Sequence, residues 1–188
     1  MKGIIAKLLR EDKLCSVFTN DAEKFMAGYL LDSDGEYMLM ELFNPYGYSD
    51  GLCCQRIECI TKVETDTLYN EDLELLAGYR RQTRRQKIER QGKVLDAFLT
   101  EASHGKKLCT VELYDSGCDD VIGFLTEIDG EELVFAMLDE HGNPDGETFF
   151  ERSSISSIKF ESEDEEKIAA LFRLKSAKEY KAGEKHCG

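Results

Sequence analysis

A shift of 95 residues lays segment 28–76 of this chain on segment 123–171 without a gap, and eleven of the 49 aligned pairs are identical. The shared residues are Gly28/Gly123, Leu30/Leu125, Asp34/Asp129, Gly35/Gly130, Glu36/Glu131, Gly47/Gly142, Asp50/Asp145, Gly51/Gly146, Ile60/Ile155, Glu71/Glu166 and Leu76/Leu171. Other pairs are conservative, among them Tyr29/Phe124, Leu39/Val134 and Val63/Ile158. Upstream, a one-residue slip brings Lys13-Leu14-Cys15-Ser16-Val17 onto Lys107-Leu108-Cys109-Thr110-Val111. Glycines, turn residues and apolar alternation recur together, which reads as two copies of one unit, a tandem pair rather than a solenoid. The 188 residues would suit one average domain or two small ones, and the internal pattern chooses two.

Each copy opens on a short amphipathic helix, with Ile4, Ile5, Leu8 and Leu9 in the first and Val94, Leu95, Phe98 and Leu99 in the second, a spacing that lines one helix face. Strands follow at 14–18 and 108–113, then strands containing Gly28 and Gly123. Asp34-Gly35 and Asp129-Gly130 lie between apolar runs, and Asp-Gly supplies the positive backbone angles of a tight hairpin. The runs 37–43 and 133–138 are nearly continuous in apolar residues, too rich for a half-exposed strand and suited to the centre of a small barrel. Turn formers fill 44–51 and 140–146. Short strands are then expected at 52–57 with 60–63, and at 148–151 with 155–160, followed by helices carrying Leu73, Leu76 and Tyr79 or Ile168, Leu171 and Leu174. About five short strands per copy is close to what a small closed sheet uses.

Charge separates the copies from the chain between them. Residues 13–69 hold four basic and ten acidic groups and residues 107–160 three and thirteen, whereas 80–93 hold seven basic residues and one acid, Glu89. The predicted organisation is a first helix-barrel-helix repeat at 1–79, a basic helical connector at 80–93, a second repeat at 94–181 and a flexible tail at 182–188. The fold class is α+β, mainly β.

The net charge of −14 disfavours general attraction to phosphate backbones or anionic membranes. No apolar run approaches a membrane span, and 1–9 is too short and interrupted by Lys7 to be a signal peptide; a cytoplasmic protein is expected. Seven cysteines (Cys15, Cys53, Cys54, Cys59, Cys109, Cys118, Cys187) form no CxxC pair, which argues against a disulfide framework and a zinc knuckle. Cys15 and Cys109 read as core residues on strands, and adjacent Cys53 and Cys54 point to opposite faces and do not share a metal. His104, His141 and His186 have no nucleophile or metal partner at useful spacing. The Asp-Gly pairs lack the calcium-loop pattern and read as turns. The run 161–166 reads as a solvated helix start.

An opening helix followed by five short, bent strands resembles the Sm-like small barrel and, more loosely, any SH3-like barrel. The second copy carries the resemblance best: Val111-Glu112-Leu113-Tyr114-Asp115-Ser116, then Gly123-Phe124-Leu125-Thr126-Glu127-Ile128-Asp129, then Leu133-Val134-Phe135, is similar to the first Sm motif. The asparagine of the family's base-binding pocket is replaced by Glu132, or by Tyr37 in the first copy. The Arg-Gly pair of the second motif is also missing, with Gln55-Arg56-Ile57 and Arg152-Ser153-Ser154 standing near it. The resemblance implies the fold and not the RNA pocket.

The candidate binding residues are Arg80, Arg81, Arg84, Arg85, Lys87 and Arg90 of the connector, together with Tyr46 and Tyr48 of the first copy's turn. The arginines either grip phosphates or hold the two acidic barrels in place or merely keep an exposed helix soluble, and this second reading is favoured because the field of the barrels repels a polyanion. The tyrosines suit base stacking or a protein interface. No catalytic set, cofactor or metal site is expected. The leading expectation is a non-enzymatic interaction or scaffold protein whose partner is another protein or a second copy of itself, and the runner-up is an RNA-associated Sm-like protein using the connector.

Overall fold

The computed structural model of the chain describes residues 1–20, 25–80, 88, 90, 92–114 and 116–184. Its first half runs α1 (Lys2–Glu11), β1 (Leu14–Phe18), β2 (Phe25–Ser33), β3 (Tyr37–Phe43), β4 (Ser49–Arg56), a 3-10 turn (Ile57–Cys59), β5 (Lys62–Thr65) and α2 (Leu68–Tyr79). The second half runs α3 (Val94–His104), β6 (Leu108–Leu113), β7 (Val121–Asp129), β8 (Glu132–Leu138), β9 (Pro144–Glu151), a 3-10 turn (Arg152–Ser154), β10 (Ile155–Phe160) and α4 (Glu163–Glu184). The protein is α+β and mainly β.

The pairing of one half recurs in the other at the sequence offset. Gly28 faces Leu42 as Gly123 faces Met137, Tyr37 faces Arg56 as Glu132 faces Glu151, and Val17 faces Val63 as Val111 faces Ile158. The register shifts recur as well, between Leu30 and Asp32 on β2 and between Leu125 and Glu127 on β7, and such bulges bend the strand that carries them. Gly28 and Gly123 sit where the neighbouring strand comes too close for a side chain: a Cβ would stand 1.8 Å from the Glu41 carbonyl oxygen at Gly28 and 2.6 Å from that of Ala136 at Gly123. Helices α2 and α4 are tied down by matching buried polar pairs. The Ser16 hydroxyl donates to Asn70 at 2.7 Å, and the Thr110 hydroxyl donates to Glu165 at 2.5 Å.

Two separately closed sheets do not form. All ten strands join one open antiparallel sheet, in the order β5-β1-β2-β3-β4-β10-β6-β7-β8-β9. The two halves meet where β4 pairs with β10, with Gln55, Cys54, Cys53 and Leu52 opposite Ser157, Ile158, Lys159 and Phe160. Around this seam α3 packs on β7 of its own half and on β3 and β4 of the other. One core therefore gathers Leu31, Tyr37, Leu39, Leu52 and Cys54 with Val94, Leu95, Phe98 and Leu99. This explains the continuous apolar run of β3: Met38 and Met40 belong to the core under α1, while Tyr37 and Leu39 belong to the core under α3. In β8, which has no second layer, only Leu133, Phe135 and Leu138 are buried.

The described residues of the expected helical connector are not helical at Ile88, Arg90, Gly92 and Lys93, where Gly92 takes φ +103° and breaks a helical path. Instead they clamp the first hairpin: Arg90 pairs with Asp32 at 2.7 Å and Lys93 with Glu36 at 3.0 Å. Helix α4 continues through Glu184, three residues into the expected tail, and includes Gly183. The run 161–166 is not simply solvated. Glu165 is buried and accepts from the Ser162 backbone N–H at 2.8 Å, one arm of a capping box.

Asp34 in the β2–β3 hairpin holds the start of α3, accepting from the N–H of Val94 at 2.7 Å as well as from Tyr37 and Glu36. Burial acts to raise this carboxyl, but the backbone N–H groups of Tyr37, Val94 and Glu36, with Arg90 nearby, outweigh it and hold its pKa below the usual value. Asp34→Ala is expected to cost about 1 kcal/mol in denaturant unfolding, as lost helix caps do. A carboxyl depressed on folding stabilises above its unfolded pKa and loses that contribution as pH falls through its folded one. The difference between wild type and Asp34→Ala therefore shrinks toward acid pH. Gly28→Ala is expected to cost more, about 2–3 kcal/mol, as overpacking against backbone does.

Candidate interaction site

Helix α2 presents two opposite stripes. Asn70, Leu73 and Ala77 face the core, whereas Leu68, Leu75 and Tyr79 are 80%, 71% and 80% exposed. At 100° per residue these three fall within about 20° of one line along the helix. A contiguous apolar stripe on an exposed helix face marks a docking face more often than a scatter of single residues does. Thr67 fixes the start of the helix, its side chain accepting from the Asn70 N–H.

The tyrosine turn is seated on the C-terminal end of the same helix. The Asn44 side chain accepts from the N–H groups of Tyr46 and Tyr48 at 3.0 and 3.1 Å, and the Asn44 N–H donates to the Tyr48 carbonyl. Gly47 then lies against α2 so closely that a Cβ would stand 2.7 Å from Leu76. The Arg80 guanidinium rests over the Tyr48 ring at 4.6 Å and near the Tyr79 ring at 5.9 Å, a cation–π arrangement. Tyr48, Tyr79 and Arg80 thus meet at the end of α2, with exposed Leu75 one turn back on the helix and exposed Tyr46 in the same turn as Tyr48. In the second half, Asp139 holds the corresponding turn. Lys175, at the position matching Arg80, donates to the His141 carbonyl and to Asn143, each at 2.7 Å.

Of the sequence candidates, the structure brings Tyr48 and Arg80 together, holds Tyr46 in the same turn as Tyr48, and places Arg90 elsewhere, on Asp32. Arg81, Arg84, Arg85 and Lys87 lie outside the described residues. The α2 stripe is missing from the candidate set because Tyr79 reads with Leu73 and Leu76 as one helical pattern; the structure buries Leu73 and leaves Leu76 and Tyr79 37% and 80% exposed. A second concavity, a groove of about 890 Å³, lies between α3, β7 and α4, with Leu108, Phe124 and Phe172 inside it and Lys107 and Arg173 at its sides. The matching place in the first half holds the buried Tyr29, whose hydroxyl donates to Glu74.

Burial governs the thiols. It pushes Cys15 and Cys53 up to about 12 and raises Cys54 and Cys109 as well, so all four stay protonated and poorly nucleophilic at neutral pH. Among the described residues no cluster of three or more His, Cys, Asp or Glu side chains is placed to hold a metal ion, and no helix is long and apolar enough to cross a membrane. Comparison of the chain with protein-family models, with curated proteins and with solved structures finds no match.

Cys118 is the exposed thiol among the described residues. In a Cys187→Ser variant, a thiol reagent at neutral pH should titrate one sulfhydryl rapidly and the remaining five only on unfolding; fast reaction of a second thiol would show that the core opens.

Proposed function

We propose that this chain is a non-enzymatic interaction or scaffold protein, assembled from two copies of one five-strand unit and docking a protein partner on the outer face of α2 and the tyrosine turn. The observation that carries this reading is the exposed Leu68, Leu75 and Tyr79 stripe continuing into Tyr46 and Tyr48. Large aromatic side chains beside an arginine are what the centres of protein interfaces concentrate. The recurrence of every inter-strand register at the sequence offset supports the two-copy origin, and the bent five-strand units support an Sm-like relationship at the level of fold. A base pocket is not part of the proposal. Tyr37, at the position of the family's pocket asparagine, is buried in the seam and donates its hydroxyl to the Ile155 carbonyl at 2.7 Å.

Arg80 over Tyr48 also offers a nucleic acid one cation and stackable rings, so RNA association is the second reading. The two separate in one experiment. Protein purified from cell extract at low salt is analysed by size-exclusion chromatography with absorbance at 260 and 280 nm. The expected result is a co-eluting protein, lost from a Leu75→Asp/Tyr79→Asp double variant, and a spectrum free of nucleic acid. A raised 260/280 ratio that collapses in high salt and in Arg80→Glu would replace this reading with the RNA one. A turnover activity mapped to any residue would overturn both.

A further inference from the structure

The seam between the halves uses two surfaces that each half possesses, so each surface occurs once more at an end of the molecule. At the seam, β4 supplies its outer edge and β10 receives it. By the 95-residue correspondence β9 matches β4 and β5 matches β10, and these two strands end the sheet. The helix layer follows the same logic. Phe98 of α3 is fully buried in the core shared with Tyr37, Leu39 and Cys54, whereas Ile4 on α1, its counterpart at the 94-residue offset of the upstream segment, is 50% exposed. Opposite, Cys54 and Ile158 meet at the seam and are fully buried, whereas Phe149, the counterpart of Cys54, is 69% exposed on β9.

The turn before each edge repeats the pattern. Gly51 and Gly146 share φ +84°. At Gly51 the space beside the backbone is filled by the end of β10, a Cβ there standing 2.2 Å from the Phe160 carbonyl oxygen; at Gly146 no described atom lies within 4 Å. Glu161, which follows β10, and Asp66, which follows β5, both adopt positive φ, 64° and 55°. The receiving end at β5 thus carries the same backbone turn as the end that fits against Gly51.

We propose that the chain associates head-to-tail with a second copy of itself, the outer edge of β9 pairing antiparallel with β5 of the next chain and α1 of that chain lying over β8 and β9. Carried over from the seam, the register sets Phe150, Phe149, Thr148 and Glu147 opposite Lys62, Val63, Glu64 and Thr65. No like charges stand directly opposite, and the exposed Phe149 is covered by Val63 and Ile4. The charges complement one another: exposed Glu132, Glu147 and Glu151 on β8 and β9 face an α1 carrying Lys2, Lys7 and Arg10. Because the two edges differ, the contact is heterologous, and each added chain presents a fresh edge until the assembly closes. This surface is separate from the α2 stripe, so the self-association stands or falls independently of the proposed partner site.

The test combines light scattering with directed cross-linking. In low salt the purified protein is expected to show a mass above that of one chain, growing with concentration. It should fall to one chain in Phe149→Glu, whose circular dichroism stays that of the wild type, and should weaken as salt screens the charged ends. In a Cys118→Ser/Cys187→Ser background, a Val63→Cys protein mixed with a Phe149→Cys protein should yield a disulfide-linked pair under mild oxidation, since strand-opposed residues lie within disulfide reach. Neither should link when oxidised alone. A single-chain mass at every concentration would overturn the proposal. So would an oligomer that survives Phe149→Glu and dissolves in Leu75→Asp, because that result places self-association on α2.

Discussion

Everything in this molecule depends on the strand pairing of β4 with β10 and the helix that covers it. A five-strand sheet with one covered face is a poor fold on its own, because its outer strand leaves backbone groups unpaired and its second apolar face bare. The seam answers both needs. Four residue pairs extend the hydrogen-bond ladder from one half into the other, and α3 fills the space between β3 of the first half and β7 of the second. Three first-half side chains complete the closure by donating to carbonyls around the second 3-10 turn: Tyr37 and Arg56 to Ile155, Gln55 to Ser156 and Arg56 again to Ser153. The first half is thus shaped for its neighbour at positions where the second half has Glu132, Phe150 and Glu151 instead.

Electrostatics makes the seam tolerable in an acidic protein. The first hairpin gathers Asp32, Asp34 and Glu36, and the chain returning from α2 meets it with Arg90, the Val94 N–H and Lys93 in turn. Arg90 and Asp32 are partly shielded from water, where a charge-assisted hydrogen bond holds geometry better than an exposed pair would. Arg90 and Lys93 thus fasten the chain leading into α3 to the acidic hairpin of the first half.

The strands, both hairpin turns and the flanking helices were legible because glycines and apolar alternation are local signals, and a repeated unit displays each of them twice. What escaped is what depends on the partner half. Tyr37–Phe43 is apolar throughout whether it threads a closed barrel or lies between two helices, so the pattern alone suggested the former and the seam decided the latter. Strand β9 begins at Pro144, inside what reads as a turn, because pairing resumes past a bulge, with Leu138 facing Pro144; proline is accepted there at the start of an edge strand. Ser162 and Glu165 carried a legible capping signal, yet the surrounding acids made the run look solvated, and only the buried Thr110 hydroxyl shows why Glu165 turns inward. The patch of Tyr46, Tyr48 and Arg80 was legible as residue types; its union with Leu75 and Tyr79 required knowing which side of α2 meets the core.

The order in which the chain is made adds a consequence of the seam. Every strand of the first half, and α2 after it, is synthesised before α3, but Arg56 finds its acceptor at Ile155 only 99 positions later. At about 5–20 residues per second of synthesis, that interval lasts roughly 5–20 seconds. Throughout it the outer edge of β4 stands open, and until α3 is made Leu39 and Cys54 lack their cover as well. A nascent chain in this state is a ready acceptor for any passing strand, including one from a neighbouring ribosome on the same message. The molecule's final strand is therefore also its safeguard: until β10 arrives, the outer edge of β4 has no partner.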